Sequence, residues 1–163
     1  MIRIFTLTIA AMFLLTEAAF GAAFLKLGDI KGEATDAEHK EWIEVLSVSQ
    51  SISQPAATTG ATRRRGAAVM DFSIIKPLDQ ATPSINDAVA RGRAFPQVVY
   101  EMVEGGVRYK VTLENARIIS AAQNAASGDV PTEEVSFNFT KITWEYKTRK
   151  GTVSRSFNAA GGR

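Results

Sequence analysis

The chain holds one histidine, His39, and no cysteine. Thiolate nucleophiles, thiolate metal sites and disulfides are thereby excluded, and any Ser-His-carboxylate triad would have to run through His39. That residue sits in the polar run Asp36-Ala37-Glu38-His39-Lys40-Glu41, which reads as a surface turn with a solvent-facing imidazole. No serine lies in a Gly-x-Ser-x-Gly context. Asp29, Glu33, Asp36, Glu38, Glu41 and Glu44 make an acidic stretch in which paired hydrolytic carboxylates or a calcium site would be sought. Their spacing matches no EF-hand loop, so a solvated face is the better reading.

Cationic chemistry is confined to Arg63-Arg64-Arg65, set between Gly60 and Gly66. The segment lacks the Gly-Lys-Ser/Thr ending by which a phosphate loop grips nucleotide. A formal net charge of +2 gives no general electrostatic footprint for nucleic acid. The three arginines are read as subunit-interface candidates. Asn138-Phe139-Thr140 fits the glycosylation pattern only formally, because it falls inside an expected strand. No catalytic, metal or cofactor site is assigned, and the chain is read as a non-enzyme.

The elements that must carry these residues are mostly strands. Val98, Tyr100 and Met102 alternate with other neighbours, Gly105-Gly106 follows, and Val107, Tyr109, Val111 and Leu113 alternate again. Two glycines between alternating runs predict a tight hairpin. The apolar parity then flips, with Ala116 and Ile118 at even positions, and a bulge near Asn115 would restore the face. The same flip separates Val135, Phe137 and Phe139 from Ile142, Trp144 and Tyr146, predicting a second bulge near Thr140-Lys141. Further strands are expected over residues 24–30, 42–53, 68–78 and 152–157. One short helix is predicted, with Thr82 as N-cap, Pro83 at its first position, Ile85, Ala88 and Val89 on one face, and Gly92 ending it. Long strands with parity flips suit a sheet that closes on itself, so the fold class is all-β, a small barrel with one helix. Two long loops, residues 54–67 and 124–132, are left over.

Residues 1–22 read as a cleavable signal peptide and residues 23–163 as one domain. Arg3 precedes an apolar run from Ile4 to Leu15, then small residues, Ala19 and Gly21 among them, suit a cleavage site. A span would need about 18 or more apolar residues, and Glu17 closes the run first, so no stable membrane anchor is expected.

The stretch Gly28-Asp29-Ile30-Lys31-Gly32-Glu33-Ala34-Thr35-Asp36, followed by His39-Lys40-Glu41-Trp42-Ile43-Glu44-Val45, resembles the haemolysin-coregulated protein (Hcp) family of type VI secretion. So do Asp71-Phe72-Ser73, Lys76-Pro77-Leu78-Asp79 with Thr82-Pro83, and residues 133–139 with Lys141-Ile142 and Trp144-Glu145-Tyr146. The resemblance runs through nearly all of the expected mature chain in the family's order. It implies a β-barrel of two curved antiparallel sheets, assembled as a hexameric ring. Such rings stack into a tube through which effector proteins travel.

It also implies that the loop holding Arg63, Arg64 and Arg65 reaches a neighbouring subunit or ring, and that homo-oligomers and effectors, not nucleic acid, are the partners. The leader departs from the family pattern. A working leader sends the subunit to the periplasm and onward as a secreted protein. This makes an exported ring protein the first reading and a binding module of the cell envelope the alternative.

Overall fold

The computed structural model of the chain describes residues 21–54 and 69–159. Residues 1–20 of the expected signal peptide, and Arg63, Arg64 and Arg65, lie outside the described residues. Among the described residues nine strands and one helix follow in the order β1 (Ala22–Leu27), β2 (Ile43–Glu44), β3 (Ser47–Ser53), β4 (Val69–Pro77), α1 (Thr82–Ala90), β5 (Ala94–Glu104), β6 (Val107–Asn124), β7 (Thr132–Asn138), β8 (Lys141–Thr148) and β9 (Gly151–Asn158). All pairings are antiparallel, in the order β2-β1-β5-β6-β7-β4-β3, with β8 added to β6 and β9 to β8.

The β5–β6 hairpin is the one that alternation and Gly105-Gly106 predict. Glu104 pairs with Val107, leaving a two-residue loop in which Gly105 and Gly106 have φ of 56° and 82°. Positive φ at both central positions belongs to the turn whose twist matches that of the flanking strands.

The face change at Asn115 is also present. Val111 and Leu113 are buried before it and Ala116 and Ile118 after it, and Asn115 itself takes φ 49°. A short amide side chain tolerates this left-handed backbone better than most residues. A register shift follows between Ile118 and Ser120. The second flip is not a bulge within one strand. Here β7 ends at Asn138 and β8 starts at Lys141, and both pair with β6, which therefore changes partner at this corner. Thr140 ties the break together: its N–H donates to Glu114 O at 3.0 Å and its Oγ1 accepts from Asn115 Nδ2 at 3.1 Å. The glycosylation-like triplet thus spans a strand end and a corner whose threonine hydroxyl is already engaged.

The expected strand over residues 42–53 is two strands. Val45 N donates to Ala23 O at 2.9 Å and Leu46 N to Ile75 O at 2.8 Å. Within those two residues the chain leaves the edge of β1 for the edge of β4 and closes the barrel. The closed space is filled by Leu25, Leu27, Val98, Tyr100, Val111, Leu113 and Ile142 from one curved sheet, and by Phe72, Ile74, Ala116, Ile118, Val135 and Phe137 from the other. Full burial of each large apolar side chain contributes about 1.5–3 kcal/mol. The helix adds Ile85 and Ala88, which are buried and lie one turn apart on the same stripe.

Helix α1 starts at the residue expected to cap it, so the N-cap is Ala81, which has no polar side chain to make a cap bond. Thr82 instead donates its hydroxyl inward to Glu133 Oε1 at 2.8 Å. The other end behaves as expected: Gly92 has φ 60°, and the Arg93 N–H donates back to Ala88 O at 2.8 Å. Among the described residues no helix is long and apolar enough to cross a membrane.

Candidate assembly edges and buried charge clusters

Among the described residues three strands, β2, β3 and β9, have a hydrogen-bonded neighbour on one side only; β2 is two residues long, so β3 and β9 are the long open edges. Every residue of β9 and all but Gln50 of β3 are exposed. Val48 and Ile52 on β3, and Val153 and Phe157 on β9, are exposed apolar side chains spaced by alternation along each strand. An open edge with its row of unpaired N–H and C=O groups is a template for pairing with another chain. The segment carrying Arg63, Arg64 and Arg65 joins β3 to β4 in sequence and lies outside the described residues.

His39 corrects the reading made from sequence. Its residue exposure is 3%, not that of a surface turn. The ring stacks on Phe24 of β1 with centroids 4.4 Å apart and planes 9° from parallel, and Trp42 meets its edge. Nδ1 lies 2.7 Å from Asp36 Oδ1 and Nε2 3.2 Å from Glu101 Oε2. Both ring nitrogens therefore face carboxylates, and neither holds a serine hydroxyl.

The acidic stretch is the exposed face that its composition suggests, with most of its carboxylates paired at the surface. Asp29 pairs with Arg93, Glu38 with Arg108 and Glu41 with Lys31, while Glu33 accepts from Gln80 N at 3.0 Å. Glu44 remains exposed. Among the described residues no group of three metal-ligating side chains converges.

Hydrogen bonding from His39, together with the backbone N–H groups of Glu38 and His39, holds the Asp36 carboxyl below its ordinary value against a smaller opposing effect of burial. A depressed carboxyl contributes stability above its unfolded value near 3.8, and that stability is lost as pH falls through the folded value. The 36–39 turn is thus expected to loosen on acidification below about pH 4. Trp42 fluorescence should report the step, and Asp36→Asn should remove it.

A second cluster joins strands to helix. Lys76 on β4 and Glu133 on β7 are directly paired across the sheet, both with 0% exposure. Lys76 Nζ donates to Glu133 Oε1 at 2.7 Å, Asp79 Oδ1 at 2.7 Å, Pro77 O at 2.6 Å and Thr82 Oγ1 at 3.4 Å. Lys76 follows Met70, Phe72 and Ile74 at even positions of the same strand, so alternation turns it inward, but nothing local in the sequence names its carboxylate partner.

Residues 24–146 match the family model described as "Type VI secretion system effector, Hcp". The chain belongs to the Hcp family of type VI secretion. Protein hcp1 of Pseudomonas aeruginosa is 31% identical over 135 residues, spanning 78% of this chain and 83% of that protein. Among solved structures, Hcp1 from Salmonella typhimurium superposes with a TM-score of 0.74 at 23% identity, covering 86% of this chain and 95% of that one. A type VI secretion system effector from Yersinia pestis gives 0.71 at 23% identity, covering 83% and 98%. The family is that of the secreted type VI tube protein, and the all-β fold read from alternation is the Hcp fold.

Proposed function

We propose that this chain is the structural, non-catalytic subunit of a hexameric Hcp-type ring, exported behind a cleaved leader and able to carry small effector proteins in the ring's lumen. The observation that carries the reading is the pair of long open edges, β3 and β9, with exposed apolar side chains on both. Two different surfaces on one subunit allow a head-to-tail contact, which closes into a ring when the rotation per subunit permits and propagates as a stack when it does not. Sequestering such edges also removes an aggregation hazard that a free monomer would retain. Non-catalysis is supported by His39, whose nitrogens are both directed at carboxylates.

Sedimentation of the purified mature chain tests this directly. A hexamer is expected, and a monomer at high concentration overturns the ring and favours the envelope-binding alternative. Changing Arg63, Arg64 and Arg65 together to glutamate should weaken assembly with the barrel's circular dichroism unchanged, because exposed charges contribute little to fold stability. An unaltered hexamer would remove this loop as an interface. Export is tested separately by N-terminal sequencing of protein recovered from periplasm and medium. A start near Ala23 supports cleavage, and a start at Met1 opposes it.

A further inference from the structure

Residues 31–42 form a strap that folds back on itself and lies against one face of the β1–β5–β6 sheet. Gly32 N donates to Glu41 O at 2.9 Å, Ala34 N to Trp42 O at 3.0 Å and Glu41 N to Ala34 O at 2.9 Å, closing its base. Its end runs straight into β2 and the seam that closes the barrel. What seats its tip is His39 against Phe24, Asp36 and Glu101, with the Glu38–Arg108 pair beside it.

Hydrogen-bond accounting constrains the ring. A neutral imidazole donates from one nitrogen and presents a lone pair at the other, whereas the imidazolium donates from both. With a carboxylate oxygen at each nitrogen, only the doubly protonated ring satisfies both contacts. Charged groups face this site from every neighbouring element. From the strap come Asp36 and Glu38, with Lys40 next along the chain. From β5 comes Glu101, whose carboxylate is also 3.3 Å from Arg108 and 3.8 Å from Lys110 of β6. Lys110 is itself shared with Glu145 of β8 at 3.9 Å. Glu44 of β2 lies opposite Phe24 in register, and Lys26 of β1 sits over the Trp42 ring.

We propose that His39 is a proton-dependent latch that holds the 31–42 strap, and with it the β2 seam, only while both ring nitrogens carry protons. The latch is a property of the single chain and does not rest on ring formation. Raising the pH leaves a lone pair facing a carboxylate, Asp36 or Glu101 according to tautomer, and the strap lifts while the rest of the barrel stays closed.

Amide hydrogen exchange on the full chain, corrected for intrinsic rates, tests this between about pH 5 and pH 9, the range in which histidine changes charge. Protection across residues 32–42 is expected to fall about tenfold or more as pH rises, the scale of a lost charged hydrogen bond, with β5 and β6 unchanged. His39→Gln should abolish the pH dependence of the strap. Constant strap protection in the unmodified chain overturns the proposal, as does the same pH-dependent fall in His39→Gln. Where that variant fails to fold, the unmodified chain's profile alone decides.

Discussion

Replacing Lys76 by methionine is expected to cost about 3–5 kcal/mol of folding stability, the scale for removing one partner of a buried ion pair. The physical reason lies in what remains. Glu133 is wholly buried, and its Oε2 has no hydrogen-bond partner even with Lys76 present, while Oε1 would keep only the Thr82 hydroxyl. Asp79 would retain the Ala81 N–H at 2.9 Å, but the cation binding the two carboxylates together would be gone. Either carboxylate must then take up a proton, or water must enter between β4, β7 and the start of α1. Urea unfolding should show the loss.

The control is a double substitution, Lys76→Met with Glu133→Leu, which removes charge from both sides of the cross-strand pair. Replacing a buried pair by apolar residues of similar volume is often neutral, so the double variant should recover most of the loss. A double variant as unstable as the single one would show that this cluster positions α1 through geometry that apolar packing cannot reproduce.

What the sequence displayed and what it hid divide along physical lines. The β5–β6 hairpin and the face change at Asn115 were legible because their causes are local: side-chain period, two glycines and an apolar stripe that switches parity. Helix α1 was legible for the same reason, except at Thr82. There a residue suited to capping is taken by a partner, Glu133, 51 positions away.

His39 was hidden by the same kind of distance. Its neighbours in sequence are polar, and what buries it are Phe24 on β1 and Glu101 on β5, the latter 62 positions away. At Lys76 it was the partner that was hidden, Glu133 lying 57 positions off across a strand pair. The corner at Thr140 was half legible. Alternation signalled a change of face, but whether a chain bulges or breaks there depends on the hydrogen bonds that β6 makes on its two edges.

Gly32→Ala is the second large effect expected, and it separates the need for space from the need for an unusual backbone. Gly32 is absent from the positive-φ glycines, so alanine could adopt its conformation. What forbids alanine is room: a Cβ there would sit 2.5 Å from Ile43 Cα and closer still to Trp42 O, both backbone atoms that cannot swing aside. The strap base would have to part from the first residues of β2, disturbing the bonds by which Gly32 and Ala34 hold Glu41 and Trp42. Overpacking of this kind costs about 1–3 kcal/mol, and the lost strap contacts add to it. A melting temperature lower by roughly 5–15 °C is expected for a domain of this size. Gly105→Ala supplies the contrast. Nothing lies within 4 Å of its added Cβ, while its φ of 56° imposes only local strain of about 1 kcal/mol. If the two variants melted alike, close approach at the strap base would not be what holds the barrel seam. If Gly32→Ala melts well below Gly105→Ala and exchanges its 32–42 amides faster, the strap's seat is set by backbone contact at its base as well as by the charges at its tip.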